Sequence, residues 1–268
     1  MKIAVLGFGW LGLPLGKSLL KAGHEVVGTT TSEEKASRLK QEGLNAVRMD
    51  LAEDLSHFSK EIFGNTQIAV LNFPPAREKD TTREYGRQAL AAAALFPADT
   101  RFIFVSSTGI YPNDFSPATE AGFDRSKFAE TDSIAFAEEA LHLALGERLT
   151  IVRMAGLIGG DRHIGKYFAG KTGIPNGDTP VNLIYQTDCV RLIERIIEKD
   201  CWGEVFNGCA SGHPSRRDYY TFSCEKFGLE KPEFPEEANP VIGKMIDNTK
   251  SKQVLDFVYA FDDPYQML

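Results

Sequence analysis

The chain has only four cysteines in 268 residues, Cys189, Cys201, Cys209 and Cys224, and no Cys-x-x-Cys pair among them. That excludes a disulfide framework and the commonest thiolate metal sites, so all four read as free thiols. The five histidines (His24, His57, His142, His163, His213) show no ligand spacing either, and no metal is expected. Basic clusters are missing: Arg216-Arg217 stands isolated in a chain of net charge −7. This balance excludes nucleic acid as a general partner. No stretch approaches the roughly 20 apolar residues that span a bilayer, so no membrane partner is expected. The opening apolar run is too short for a signal peptide, which makes a cytoplasmic location the expectation. Hydrophobic residues at 43% and charged residues at 25% are ordinary for a globular chain with a sizeable core.

What the chain does have stands at its start. Lys2-Ile3-Ala4-Val5-Leu6 reads as a strand, Gly7-Phe8-Gly9-Trp10-Leu11-Gly12 follows, and 13–22 reads as a helix. Gly-x-Gly-x-x-Gly between strand and helix is the context a dinucleotide fingerprint requires. Gly7 permits the tight turn, Gly9 lets the backbone approach a pyrophosphate, and Gly12 lets helix and strand pack closely. Phe8, Trp10 and Leu11 supply the rest of the turn, whose helix-start N–H groups favour an anion.

Strand-like and helical segments then alternate. Strands are expected at 25–29, 46–49, 68–71, 101–105 and 150–153, and helices at 33–42, 82–96 and 126–145. Such alternation predicts a doubly wound α/β fold, a parallel sheet covered on both faces. Apolar strands such as Ile68-Ala69-Val70-Leu71 suit that burial. After Arg153 the texture turns glycine-rich, with a short helix at 164–169, an amphipathic helix at 186–199 and a strand at 205–207. Residues 1–155 with 186–207 are assigned to a dinucleotide-binding domain, and 156–185 with 208–268 to a small substrate-binding lobe.

The second strand ends in Thr29-Thr30-Thr31-Ser32, where an NAD site would place an Asp or Glu for the ribose 2′-hydroxyl. A hydroxyl row with Lys35 and Arg38 nearby suits a 2′-phosphate instead. NADP is therefore the favoured cofactor and NAD the alternative, while Ser32 also reads as an N-cap. Asp50 and Leu51, ending the third strand, face the adenine or form a plain turn. Asn72 and Pro74, ending the fourth, border the cofactor.

Further motifs follow in order: Val105-Ser106-Ser107-Thr108-Gly109-Ile110-Tyr111-Pro112, then Phe123-Asp124-Arg125-Ser126-Lys127, Arg153-Met154-Ala155-Gly156 and Tyr185-Gln186-Thr187-Asp188. With the glycine turn, this ordered set resembles the extended short-chain dehydrogenase/reductase superfamily, the NAD-dependent epimerase/dehydratase group, over most of the chain. The resemblance implies that Ser107, helped by Thr108, bonds a substrate hydroxyl or carbonyl. It implies that Lys127 holds the nicotinamide ribose and that Ser106 and Met154 lie on the cofactor side. It also implies a homodimer through the two long helices.

One departure is decisive for chemistry. The family's tyrosine precedes its lysine by four residues, and here that position is Phe123, which transfers no proton. Tyr111, Tyr185 and Asp124 remain as substitutes, in that order. Asp188 reads as the N-cap of the helix that follows it. Two functions stay open: an oxidoreductase or epimerase/dehydratase acting on a small polar or nucleotide-sugar-like molecule with a non-standard proton donor, and a dinucleotide-binding sensor without turnover.

Overall fold

The structure is a computed structural model that describes residues 1–55, 58, 60–75, 82–116, 118–236 and 242–268. Five strands come first: β1 (Lys2–Leu6), β2 (Glu25–Thr30), β3 (Asn45–Arg48), β4 (Ile68–Leu71) and β5 (Arg101–Ser107). They are followed by β6 (Leu149–Met154), β7 (Gly156–Ile158), β8 (Leu183–Tyr185) and β9 (Val205–Gly208). Seven of these strands form one sheet in the order β3-β2-β1-β4-β5-β6-β9, while β7 and β8 make a separate parallel pair. The strands β1 to β5 run parallel, with β1 between β2 and β4. This is the doubly wound architecture the alternation predicts.

Helices cross between the strands: α1 (Gly12–Lys21), α2 (Glu33–Gln41), α3 (Lys60–Phe63), α4 (Thr82–Ala93) and α5 (Ser133–Leu145). Later come α6 (Gly165–Phe168), α7 (Gln186–Glu198), α8 (Arg216–Lys226) and α9 (Thr249–Val254). One expectation fails here. The helix expected over 126–145 begins only at Ser133, because Asp132 caps it: its carboxylate accepts the N–H groups of Ile134 and Ala135, each at 2.8 Å. Arg125–Lys127 is a separate 3-10 turn whose own cap is Asp124. The β7–β8 pair was not foreseen, since three-residue strands show no periodicity.

The described chain divides into two compact units. The first holds Met1–Ser106, Asp124–Val152 and Ile196–Val205; the second holds Ser107–Phe123, Arg153–Arg195 and Phe206–Leu268. The boundaries differ from those drawn on the sequence: 107–123 and most of α7 go with the second unit. Each unit has its own core. Leu6, Val27, Phe63, Leu71, Tyr85, Phe102, Phe104 and Leu141 pack together in the first. Ile158, Leu183, Tyr219, Tyr220 and Met267 do so in the second.

Candidate cofactor-binding site

The glycine turn is built by contacts that leave its outer face open. Gly7 has φ +107°, and a Cβ there would lie 2.1 Å from the Asn72 carbonyl oxygen, so no other residue fits. A Cβ on Gly12 would lie 2.0 Å from the Gly7 oxygen, whereas one on Gly9 would meet nothing within 4 Å. The close approaches thus face inward and open space lies over Gly9. The Gly7 N–H donates to Thr29 Oγ1 at 3.0 Å, the Phe8 N–H to the Thr29 carbonyl at 2.6 Å, and Asn72 Nδ2 to the Gly7 carbonyl at 3.0 Å. Lys35 reaches back from α2 to place its ammonium 2.5 Å from the Phe8 carbonyl.

The ring of Phe8 explains two glycines outside the fingerprint. It is buried, 1% exposed, and a Cβ on Gly28 in β2 would fall 1.9 Å from its Cζ, one on Gly16 in α1 2.7 Å from its Cε1. Phe8 therefore wedges between strand and helix, and only its backbone belongs to the turn. Sequence reading missed this slot. Its signal was a glycine inside an otherwise β-branched strand, which marks a close approach.

The start of α1 is uncapped. Leu11 at the N-cap offers no side-chain acceptor and the first turn has no acid, whereas Ser32 and Asp132 cap α2 and α5. A helix's first N–H groups lack intrahelical partners and attract anions. The turn therefore passes the test for a dinucleotide: a cradle closed to side chains, open above Gly9, with helix-start donors and the Lys35 charge beside it. Trp10 is half-buried, and Leu11 and Gly12 are buried at the base.

The remaining expected cofactor residues separate by what their polar atoms do. Thr29 is buried and spent on Gly7, and Ser32 Oγ accepts the Lys35 N–H at 3.2 Å, while Thr30 is half-buried and Thr31 exposed. Arg38 pairs with Glu42 one turn on, at 3.8 Å. Asp50 accepts the Ala52 N–H at 3.0 Å, and Leu51 packs against the core. Pro74 is exposed. Ser106 is buried, with its hydroxyl 2.5 Å from the wholly buried carboxylate of Glu138 on α5. Met154 is buried, its sulfur 2.9 Å from where Gly208 would carry a Cβ.

The second unit carries Ser107, Thr108, Tyr111 and Phe123. Ser107 Oγ accepts the Gly109 N–H at 3.0 Å and opens a 3-10 turn, Thr108–Ile110, in which Thr108 is buried. Tyr111 is committed elsewhere: Arg153 donates to its hydroxyl at 2.8 Å, and that hydroxyl donates to Asn207 Oδ1 at 2.8 Å. Burial pushes its pKa up, and the Arg153 charge only partly offsets this. The Arg153 guanidinium, 1% exposed, lies 5.1 Å from the Tyr111 ring and 4.9 Å from the Phe123 ring. Phe123 stacks edge-on against Tyr111 at 5.1 Å. Phe123 is thus an apolar wall of a cation–π cluster around the buried Arg153.

Asp124 fares no better as an acid: hydrogen bonds from Ser126, then the Lys127 charge, hold its carboxyl below the usual range. Lys127 is 75% exposed and 3.6 Å from Asp124, on the 3-10 turn rather than on a helix face. Tyr185 is half-buried and stacked on Phe261 at 4.1 Å, and among the described residues its hydroxyl has no hydrogen-bond partner. Asp188 is not an N-cap, because α7 already begins at Gln186. Its buried carboxylate accepts the N–H groups of Ala260 and Phe261, each at 2.9 Å, and a bond from Arg191 at 2.7 Å. The lobe's basic residues are partly spent on its own carbonyls: Arg216 on Pro175, Lys166 on Asp161. Among the described residues no His, Cys, Asp and Glu group forms a metal cluster, and no helix is long and apolar enough to cross a membrane.

A chain with this turn and this sheet belongs to the NAD(P)H-binding family, which its residues 7–183 match. Its fold is shared with a short-chain dehydrogenase/reductase superfamily protein, an epimerase and a dehydratase of known structure. Protein YeeZ of Escherichia coli K12 is 31% identical over 271 residues, covering 99% of this chain and 98% of YeeZ. The yeast methylglyoxal/isovaleraldehyde reductase complexed with NADPH superposes with a TM-score of 0.77 at 16% identity, over 100% of this chain and 96% of its own. The UDP-glucose 4-epimerase of Thermotoga maritima, with UDP-glucose, gives 0.75 at 18% identity, over 100% and 97%.

Proposed function

We propose that the protein is an NADP(H)-dependent oxidoreductase or epimerase/dehydratase of the extended short-chain type, acting on a small polar or nucleotide-sugar-like substrate. The observation that carries this reading is the preformed glycine turn, closed inward at Gly7 and Gly12 and open above Gly9. When bound, the cofactor supplies a nicotinamide that accepts or donates hydride. The turn and the start of α1 hold the pyrophosphate. Ser107 and Thr108 bond the substrate oxygen, and Tyr185 holds the proton, since Tyr111 and Asp124 are committed elsewhere. A homodimer through α4 and α5 belongs to the same reading.

Titration with NADPH, followed by nicotinamide fluorescence, tests the cofactor. Binding to wild type that Gly9→Asp abolishes supports the site, because the new carboxylate would face the pyrophosphate in the space over the turn. Wild type that binds neither NADPH nor NADH refutes it.

A second reading, a dinucleotide sensor without turnover, is favoured by Phe123 and by the exposed, Asp124-paired Lys127. The two readings part at Tyr185. For an enzyme, Tyr185→Phe lowers NADPH-dependent reduction of a carbonyl panel by about 10²–10⁴-fold with NADPH binding unchanged. For a sensor, wild type and variant alike leave NADPH unoxidised.

A further inference from the structure

The hydroxyl row and Arg38 account poorly for recognition of a 2′-phosphate once each side chain is placed. Thr29 and Ser32 are spent on the backbone, Arg38 stands in the second turn of α2 rather than at the end of β2, and the Lys35 ammonium is bolted to the glycine turn. These commitments leave the end of β2 short of charge from its own segment. The neighbouring strand supplies it. Arg48, the last residue of β3, stands in register with Thr30, and the Met49 N–H donates to the Thr30 carbonyl at 2.9 Å. Its side chain is 37% exposed, and its fork is closed by Glu53, with Nη1 to Oε2 at 2.7 Å and Nη2 to Oε1 at 2.5 Å. Asp50 and Glu33 are the other acids whose charge reaches Arg48.

We infer that Arg48 is the residue that discriminates NADP from NAD, its guanidinium fork exchanging the Glu53 carboxylate for the ribose 2′-phosphate. This rests on the dinucleotide reading above. The exchange is chemically matched, because carboxylate and phosphate present the same pair of oxygens to a planar fork. Glu53 holds the Arg48 fork while no phosphate is bound and acts as a competitor that lowers NADP affinity without abolishing it. Lys35, tied to the Phe8 carbonyl, attracts the pyrophosphate of both dinucleotides and does not distinguish them.

The test is a fluorescence titration of wild type, Arg48→Gln, Arg48→Lys, Glu53→Gln and Arg38→Gln with NADPH and NADH at fixed salt. Circular dichroism melts confirm that each variant is folded. Arg48→Gln should weaken NADPH at least tenfold and NADH less than threefold, with Arg48→Lys between it and wild type because the charge stays and the fork is lost. Glu53→Gln should tighten NADPH and leave NADH alone, and Arg38→Gln should change neither by more than threefold. In wild type, 2′,5′-ADP should displace NADPH better than 5′-AMP does, an advantage that Arg48→Gln removes. Equal loss of both cofactors in Arg48→Gln, no loss of either, or tighter binding of NADH than NADPH by wild type overturns the assignment to Arg48 and leaves the dinucleotide site standing. Wild type that binds neither cofactor overturns both.

Discussion

A glycine in the middle of a buried strand is a cost that a contact must justify, since it adds chain entropy and removes packing. At Gly28 the contact is the Phe8 ring, which fills the space a Cβ would take. The ring is held by β2 on one side and α1 on the other, so the second residue of the fingerprint anchors the turn from beneath. Gly28→Ala should therefore overpack the slot and cost about 1–3 kcal/mol. The expected result is a lower urea midpoint together with weaker NADPH binding, because a displaced Phe8 carries the turn with it. Unchanged stability would mean that the ring moves aside freely. The glycine triplet itself was readable from spacing, because three glycines in a row of six impose a conformation by themselves. The Phe8 slot was not, because it joins residues 8, 16 and 28, whose proximity exists only in the folded chain.

At the scale of elements, boundaries follow capping groups more closely than they follow periodicity. The stretch from Ser126 to Leu145 is rich in helix-formers, and apolar spacing alone carries a helix through it. Asp132 stops that by accepting two N–H groups from the first turn of α5. Asp132→Ala should cost about 0.5–2 kcal/mol and speed hydrogen exchange at Ile134 and Ala135, with little change at the C-terminal end of the helix. Uniform acceleration along α5 would instead point to lost tertiary packing. The strands proved more legible. β4 is apolar throughout, β1 is so after Lys2 and β5 is so from Phe102 to Val105, and burial on both sheet faces leaves that mark on sequence. Asp188 was misplaced for the opposite reason: its partners, Ala260 and Phe261, stand some seventy residues downstream.

For the molecule as a whole, pH acts through groups that burial has moved. His163 is 7% exposed and stacked on Phe227 at 3.8 Å; burial first, then the Lys166 charge, lowers its pKa below 6.5. His213 is lowered too, burial again being the largest cause. With the folded pKa depressed, the unfolded chain takes up protons first as pH falls below 6.5. The histidines' contribution is therefore full above that value and lost on acidification through the folded pKa. Burial raises Glu120, which works in the opposite direction, so the test is a difference between proteins. His163→Phe keeps the stacking and removes one titration. Its urea midpoint should fall less than that of wild type between pH 7 and pH 5, and parallel falls would show that His163 takes up its proton at the same pH in the folded and unfolded chain.

The sequence by itself determined the doubly wound fold, the turn at Gly7 to Gly12 and the absence of a proton donor at Phe123. Each of these is local: a period, a spacing or a missing hydroxyl is complete within a few neighbouring residues. Only the tertiary structure decided which side chains remain available for chemistry. Tyr111 is consumed by Arg153 and Asn207, Thr29 by Gly7, and Arg48 is brought level with Thr30 by the pairing of β2 and β3. Availability is what is left after every buried polar group has found its partner. Those partners come from strands and loops far apart along the chain.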